Sequence, residues 1–132
     1  MVMAEVSSIE AVTGDGPSGA FRAFWESTLL ADGGAAMVIY LSGRFDYTTY
    51  RQFTEVLGQA WQTAQAAGVT ELVLDLGHVS YMDSSALGMM LEARHQVQEL
   101  ASGLVILQGA TGVVRKVLEF ANFQRLFVLR DK

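Results

Sequence analysis

The sequence contains no cysteine and a single proline among its 132 residues. Without cysteine, the chain can form neither disulfides nor thiolate metal sites, and it has no cysteine nucleophile. It also lacks the run of ~18 apolar residues that predicts a membrane-spanning helix. Its first residues lack the basic segment and apolar run of a signal peptide. We therefore expect a cytoplasmic protein that does not insert into a membrane.

Basic residues are few and scattered. The chain has 9 Lys and Arg against 14 Asp and Glu, a formal net charge of −5, and only Arg115 and Lys116 are adjacent. Nucleic-acid binding usually requires a clustered basic face, so we expect no nucleic-acid partner. Hydrophobic residues make up 51% of the chain, which excludes the composition of a disordered protein and favours a single folded domain.

The apolar periodicity predicts strands that alternate with helices. Residues 1–19, rich in turn formers from Gly14 to Gly19, are expected to be a flexible tail, and residues 20–132 the domain. We predict strands at 21–30, 36–41, 71–76, 104–107 and 126–129, and helices at 49–67, 84–101 and 111–122. This order predicts an α/β domain. It has a mixed sheet with mainly parallel central strands, about three amphipathic helices and an N-terminal antiparallel hairpin.

Local signals set the limits of these elements. Asp32-Gly33-Gly34 predicts the hairpin turn, and Ser42–Asp46 is expected to break the second strand. Thr49 with Gln52 fits a capping box at the start of the first helix, whose apolar stripe begins at Tyr50 and which ends at Gly68. Gly103 is expected to end the second helix. The nearly continuous hydrophobicity of residues 71–76 predicts a central strand covered on both faces.

The strongest candidate for a functional site is Asp83-Ser84-Ser85, where a buried strand turns into a helix. Binding sites of open α/β sheets gather at the carboxyl ends of parallel strands. Asp83 or Ser84 can serve as the N-cap, which places Ser85 in the first helical turn. There, free backbone N–H groups and the helix dipole accommodate a phosphate. Taken alone, the same residues also begin many helices that have no function.

The helix beyond Ser85 adds two features. A glycine inside a helix costs ~1 kcal/mol relative to alanine, so Gly88 indicates that another group approaches closely, either a partner or the sheet. Met82 and Met89 flank Ser85, and we expect them to rim an exposed surface suited to partner binding. The pattern favours a flat docking surface over a pocket.

Evidence for catalysis or metal binding is weak. Ser85 lacks both the Gly-x-Ser-x-Gly elbow and a placed histidine, so we expect no enzyme and no cofactor. His78 and His95 have no metal-ligand partner at a useful spacing. Asp46, Asp75 and Asp83 could gather at the strand ends, but Asp75 is expected to be a structural hydrogen-bond acceptor, so we expect no metal site.

One apolar group of the last helix is open to two interpretations. Val113, Phe120 and Phe123 are either core residues or an exposed interface patch, and periodicity does not separate these options.

The stretch from Leu72 to Gly88, LVLDLGHVSYMDSSALG, closely resembles the signature of the STAS domain family, the anti-sigma factor antagonists. Upstream, Gly43-Arg44-Phe45-Asp46 is similar to a second landmark of the family, a Gly-x-x-Asp loop after a strand. The last helix is similar as well, through Val114, Val117 and Leu118 with Phe123. The resemblance covers roughly residues 20–130 and implies a STAS-like single domain.

In that family the second hydroxyl residue of the motif is phosphorylated by a serine kinase that is also the anti-sigma factor. A serine phosphatase reverses the modification, and only the unphosphorylated form binds the anti-sigma factor. The resemblance implies that Ser85 is the phosphoacceptor and that Asp46 lies near it. It further implies that added charge beside Asp46 and Asp83 lowers partner affinity. The implied partner-binding surroundings are Asp46, Met82, Asp83, Ser84, Ala86, Gly88 and Met89.

This chain departs from the family at Ala86, where glycine is usual, and the methyl group is expected beside the phosphosite. Two other functions remain open. The chain could be a non-switching STAS subunit of an ABC-type lipid transporter, or a ligand-sensing STAS module that binds a nucleotide or lipid.

Overall fold

The computed structural model describes residues 6–10, 20–98 and 104–132, which form one sheet and three α-helices. In chain order the elements are β1 (Val6–Glu10), β2 (Arg22–Leu29), β3 (Ala35–Phe45), α1 (Tyr50–Ala67), β4 (Glu71–Met82), α2 (Ser84–Val97), β5 (Leu104–Gln108), α3 (Gly112–Phe120) and β6 (Val128–Arg130). Short 3₁₀ helices at Tyr47–Thr49 and Phe123–Arg125 precede α1 and β6.

The sheet has six strands in the order β1-β2-β3-β4-β5-β6. The pairs among β1, β2 and β3 are antiparallel, whereas β3 to β6 are parallel. The predicted mixed α/β sheet with an N-terminal hairpin is therefore confirmed. Each parallel crossover steps in the same direction across the sheet, so right-handed connections put all three helices on one face. One core cluster accordingly contains Ile39 and Leu74 of the sheet together with Phe53, Met90 and Leu118 of the three helices.

The prediction that residues 71–76 are buried on both faces of the sheet is confirmed, although the helices cover only one face. Val38, Val73 and Ile106 form a second buried cluster on the face opposite the helices, with Tyr40 packed against it. No helix of the described residues contributes to that cluster. These three residues are neighbours across the sheet, since Val38 pairs with Val73 and Val73 with Ile106. The described residues therefore form two layers, the sheet and one layer of helices.

The N-terminal hairpins differ from the sequence prediction in one respect. The turn between β2 and β3 follows the prediction, with Gly33 at φ +90° and the Leu30 N–H bonded to the Gly34 carbonyl at 2.8 Å. The expected tail is wrong for Val6–Glu10, which pairs antiparallel with β2 as β1. The other residues of 1–19 lie outside the described part of the chain, as do Ala101 and Gly103 at the predicted end of α2.

The predicted capping box of α1 is wrong. Thr49 makes no side-chain cap; its hydroxyl instead donates to the Asp46 carbonyl at 2.8 Å. Tyr50 is 52% exposed and is not part of the apolar stripe, whose first buried residue is Phe53. The C-terminal prediction is confirmed, since Gly68 has φ +70° and closes α1 in the left-handed conformation that glycine tolerates.

β3 and β4 extend well beyond their predicted ends. Ser42–Asp46 does not break β3, which continues to Phe45, and β4 runs to Met82 instead of Leu76. The added segments pair with each other, Phe45 with Met82, after register shifts near Tyr40 and Gly43. Such bulges interrupt the alternation of side chains along a strand. Apolar periodicity therefore does not predict the extended ends of β3 and β4.

Candidate functional site

Asp83 joins the two loops that follow β3 and β4. Because Phe45 and Met82 are paired at the strand ends, Asp46 and Asp83 leave the sheet side by side. The Tyr47 N–H donates to Asp83 Oδ2 at 3.2 Å, and the Ala86 N–H donates to Asp83 Oδ1 at 3.1 Å. Asp83, and not Ser84, is therefore the N-cap of α2, and the same carboxylate ties α2 to the neighbouring loop.

The two serines occupy the first turn of α2. The helix begins at Ser84, which is exposed, and Ser85 follows as a half-buried residue. The first N–H groups of a helix lack intrahelical acceptors, and the aligned peptide dipoles favour negative charge there. The placement of Ser85 in the first turn was predicted and is confirmed.

Asp46 is a buried cap of the loop after β3. Its Oδ1 accepts hydrogen bonds from the Thr48 N–H at 3.0 Å and the Thr48 hydroxyl at 2.6 Å. Its Oδ2 lies 3.7 Å from Nε of Arg44, whose guanidinium stacks over the Tyr81 ring at 4.2 Å. Asp46 therefore shapes the loop beside Asp83, with its oxygens committed to local partners.

A shallow depression of about 290 Å³ opens between the start of α1 and the exposed face of α2. It is lined by Tyr47, Tyr50, Ser85, Gly88, Met89 and Glu92. Tyr47 is 72% exposed, and both tyrosines are large aromatic surfaces open to solvent. None of the six lining residues is a lysine or arginine, so the only formal charge in the lining is that of Glu92.

Sequence reasoning missed both tyrosines. Tyr50 falls on the helical stripe with Phe53, which predicts a core residue, and Tyr47 lies in a predicted loop. Their spacing of three residues directly after Asp46 was the available signal, because residues three apart share one side of a helical turn.

Gly88 lies on the exposed face of α2. A Cβ placed there meets no atom within 4 Å. The interpretation that Gly88 permits a close helix–sheet contact is therefore excluded, and the fold itself gives no reason for a glycine.

The other predicted surroundings of Ser85 point inward. Met82 and Met89 are buried, so the expected exposed methionine rim is wrong, although Met89 borders the depression. Ala86 is fully buried in the core. Its methyl group therefore fills the interior instead of lying beside the phosphosite, because it falls on the inward stripe with Met90 and Ala93.

Asp75 is a structural acceptor on the sheet face opposite the helices. It is 1% exposed and accepts hydrogen bonds from the Gly77 N–H and Gln108 Nε2, both at 2.9 Å, with Lys132 Nζ 3.1 Å away. Burial alone raises the pKa of Asp75, but these donors outweigh it and lower the pKa below its ordinary value.

The other residues considered for catalysis or metal binding do not come together in one site. In the part of the chain that the structure describes, no three His, Cys, Asp or Glu side chains group as a metal site. His78 and His95 are both exposed. The described helices also include none that is long and apolar enough to cross a membrane.

Fold and site together define a two-layer α/β domain that presents a serine, in a capped first helical turn, beside an exposed aromatic surface. The STAS domain model matches residues 29–132 of the chain. The protein belongs to the STAS domain family.

Comparison with individual proteins agrees with this assignment. The chain is 35% identical to a STAS-domain containing protein of Pseudomonas aeruginosa over 95 residues, which cover 71% of this chain and 87% of that protein. It is similar in structure to the anti-sigma factor antagonist SpoIIAA in its unphosphorylated form, with a TM-score of 0.59, 26% identity and coverage of 74% of this chain and 79% of that chain.

The phosphorylated form of SpoIIAA from Bacillus is also similar, with a TM-score of 0.55 and 27% identity. That match covers 74% of this chain and 82% of the other. The structural relatives compared are thus anti-sigma factor antagonists.

Proposed function

We propose that the protein is a bacterial, cytoplasmic anti-sigma factor antagonist that is switched by phosphorylation of Ser85. Unphosphorylated, it binds its cognate anti-sigma factor, a serine kinase that modifies Ser85, and a serine phosphatase restores the binding form. The observation that carries the proposal is the position of Ser85, in the first turn of α2 and in the wall of the depression. The similarity to SpoIIAA supports it, since that protein has both phosphorylated and unphosphorylated forms.

The site explains how one phosphate could change binding. A phosphoserine carries a charge of about −1.5 to −2 at pH 7, and the N-terminus of α2 accommodates it in the free protein. The lining of the depression supplies Glu92 but no lysine or arginine, with Asp83 close by. A partner that covers the depression would bury a poorly compensated dianion, which costs several kcal/mol. The proposed switch requires no catalytic step and no cofactor in this domain.

Phosphate mapping tests the proposal. The protein is incubated with ATP and the cognate anti-sigma kinase, and the modified residue is identified by mass spectrometry. We expect one phosphate on Ser85, lost in Ser85→Ala and kept in the matched Ser84→Ala variant. Transfer to Ser84 instead, or no transfer at all, would contradict the proposal. Permanent binding to a transporter ATPase, unchanged in Ser85→Asp, would favour the transporter-subunit alternative.

A further inference from the structure

Among the described residues, two glycines lie in the interior of α-helices, and packing requires neither of them. Gly88 lies inside α2 and Gly58 inside α1; both are exposed, and a Cβ at either position meets nothing within 4 Å. Each weakens its helix relative to alanine by a similar amount. They differ in location, since Gly88 lies in the depression beside Ser85 and Gly58 does not.

The depression continues along α2. A second shallow region, lined by Leu91, Glu92, His95 and Gln96, shares Glu92 with the first. From Ser85 to Gln96 a helix rises by about 16 Å, a distance that an extended segment of ~5 residues spans. The two regions together form a groove, with Tyr47 and Tyr50 on its α1 side. Gly88 lies at the bottom of the groove, where no side chain fills the space.

We infer that the main chain of the protein partner crosses α2 at Gly88, between the two tyrosines and Glu92. A glycine allows another backbone to approach more closely than any side chain would. Tyrosine is enriched among the residues that contribute most to binding at protein interfaces. The inference rests on the proposed function, because it describes how the anti-sigma factor uses the surface beside Ser85.

The charge of the groove specifies the chemistry of the crossing segment. Glu92 is the only charged residue among the lining residues of the first depression, and a partner that covers it must supply a positive group, since an unpaired buried carboxylate is costly. We therefore expect a basic side chain of the partner, most favourably arginine, opposite Glu92.

A pair of alanine substitutions tests the crossing at Gly88. Dissociation constants for the unphosphorylated protein and its cognate anti-sigma factor are measured by calorimetry for wild type, Gly88→Ala and Gly58→Ala, with melting temperatures for each. Both variants should melt a few degrees above wild type, because alanine favours the helix. Gly88→Ala should weaken binding by ~10-fold or more, as overpacking at a close contact does, and Gly58→Ala by less than ~2-fold.

Two further variants, with a third as a control, test the walls of the groove. Tyr50→Ala should also weaken binding by ~10-fold or more. Tyr81 is an exposed tyrosine that does not line the groove, so Tyr81→Ala should leave the affinity unchanged. Glu92→Gln should reduce the dependence of binding on salt concentration.

The outcomes separate this inference from the proposed function. If wild type binds no anti-sigma factor, the proposed function fails, and the inference fails with it. If wild type binds and Gly88→Ala binds equally well, the inference alone is overturned. Equal losses in Gly88→Ala and Gly58→Ala would also overturn it, since the effect would then not belong to the groove.

Discussion

Each oxygen of the Asp83 carboxylate accepts from a different element. Oδ1 caps α2 through the Ala86 N–H, and Oδ2 holds the loop after β3 through the Tyr47 N–H. Ser84 and Ser85 are thereby set in a defined turn next to Tyr47. An aspartate is suited to this position because its two carboxylate oxygens can each accept from a different element, whereas a serine side chain offers a single oxygen.

Asp83→Ala should lower the free energy of unfolding by ~1 kcal/mol or more, since loss of an N-cap alone costs 0.5–2 kcal/mol. Asp83→Asn should lower the free energy of unfolding by less, because the single carbonyl oxygen of asparagine can replace one of the two hydrogen bonds but not both. Ser84→Ala is the matched control, and it should stay within ~0.5 kcal/mol of wild type. Urea unfolding measures all three, and equal stabilities of Asp83→Ala and wild type would contradict the double role.

The titration of Asp75 should affect the stability of the fold. Its pKa is lowered in the folded protein by donors from Gln108, Gly77 and Lys132 that outweigh the effect of burial. A carboxyl with a lowered folded pKa contributes stability above its unfolded pKa of ~3.9, and this contribution is lost as the pH falls through the folded pKa.

The difference in unfolding free energy between wild type and Asp75→Asn should therefore be largest near neutral pH and should shrink below about pH 4. Asp131→Asn is the control, because the Asp131 side chain is 91% exposed and its pairing with Arg115 should contribute little. Denaturant unfolding at several pH values measures both. A difference that stays constant down to pH ~2 would contradict the account of Asp75.

At the scale of elements, the residues buried at regular spacing were predictable and those near bulges were not. The strands through Ile39, Leu74 and Leu107 and the inward faces of all three helices follow from apolar periodicity, and the core cluster contains them. The ends of β3 and β4 did not follow, because their register shifts break the alternation. The strand before the predicted site was expected to end at Leu76, but β4 continues to Met82, directly before Asp83.

The helix α3 shows where periodicity leaves a choice that packing resolves. Phe123 is buried, whereas Val113 and Phe120 are exposed, Phe120 to 92%. Phe120→Ser should therefore change the free energy of unfolding by less than ~0.5 kcal/mol. Leu118→Ala, two positions earlier on the buried stripe, should cost ~2–5 kcal/mol. Thermal or urea unfolding measures the stability of both variants. Similar losses of unfolding free energy in the two would contradict the exposure of Phe120.

At the scale of the whole molecule, the two-layer arrangement concentrates the proposed function at one edge. The crossovers put all helices on one face, so the starts of α1 and α2 meet where β3 and β4 end. Apolar periodicity correctly predicted the α/β fold, and the resemblance to the STAS family singled out Ser85 as the candidate phosphoacceptor. Neither indicated Tyr47 and Tyr50 as neighbours of Ser85, because that proximity depends on the 3₁₀ helix and the Asp83 bridge.

The most direct test of the central claim compares the protein with serine and with phosphoserine at position 85 for binding to the cognate anti-sigma factor. Far-UV and near-UV circular dichroism should match, because the phosphate lies at the surface of an intact first turn. The dissociation constant should rise by ~100-fold or more, the expected effect of burying an uncompensated charge. Equal affinity of the two forms would contradict the switch.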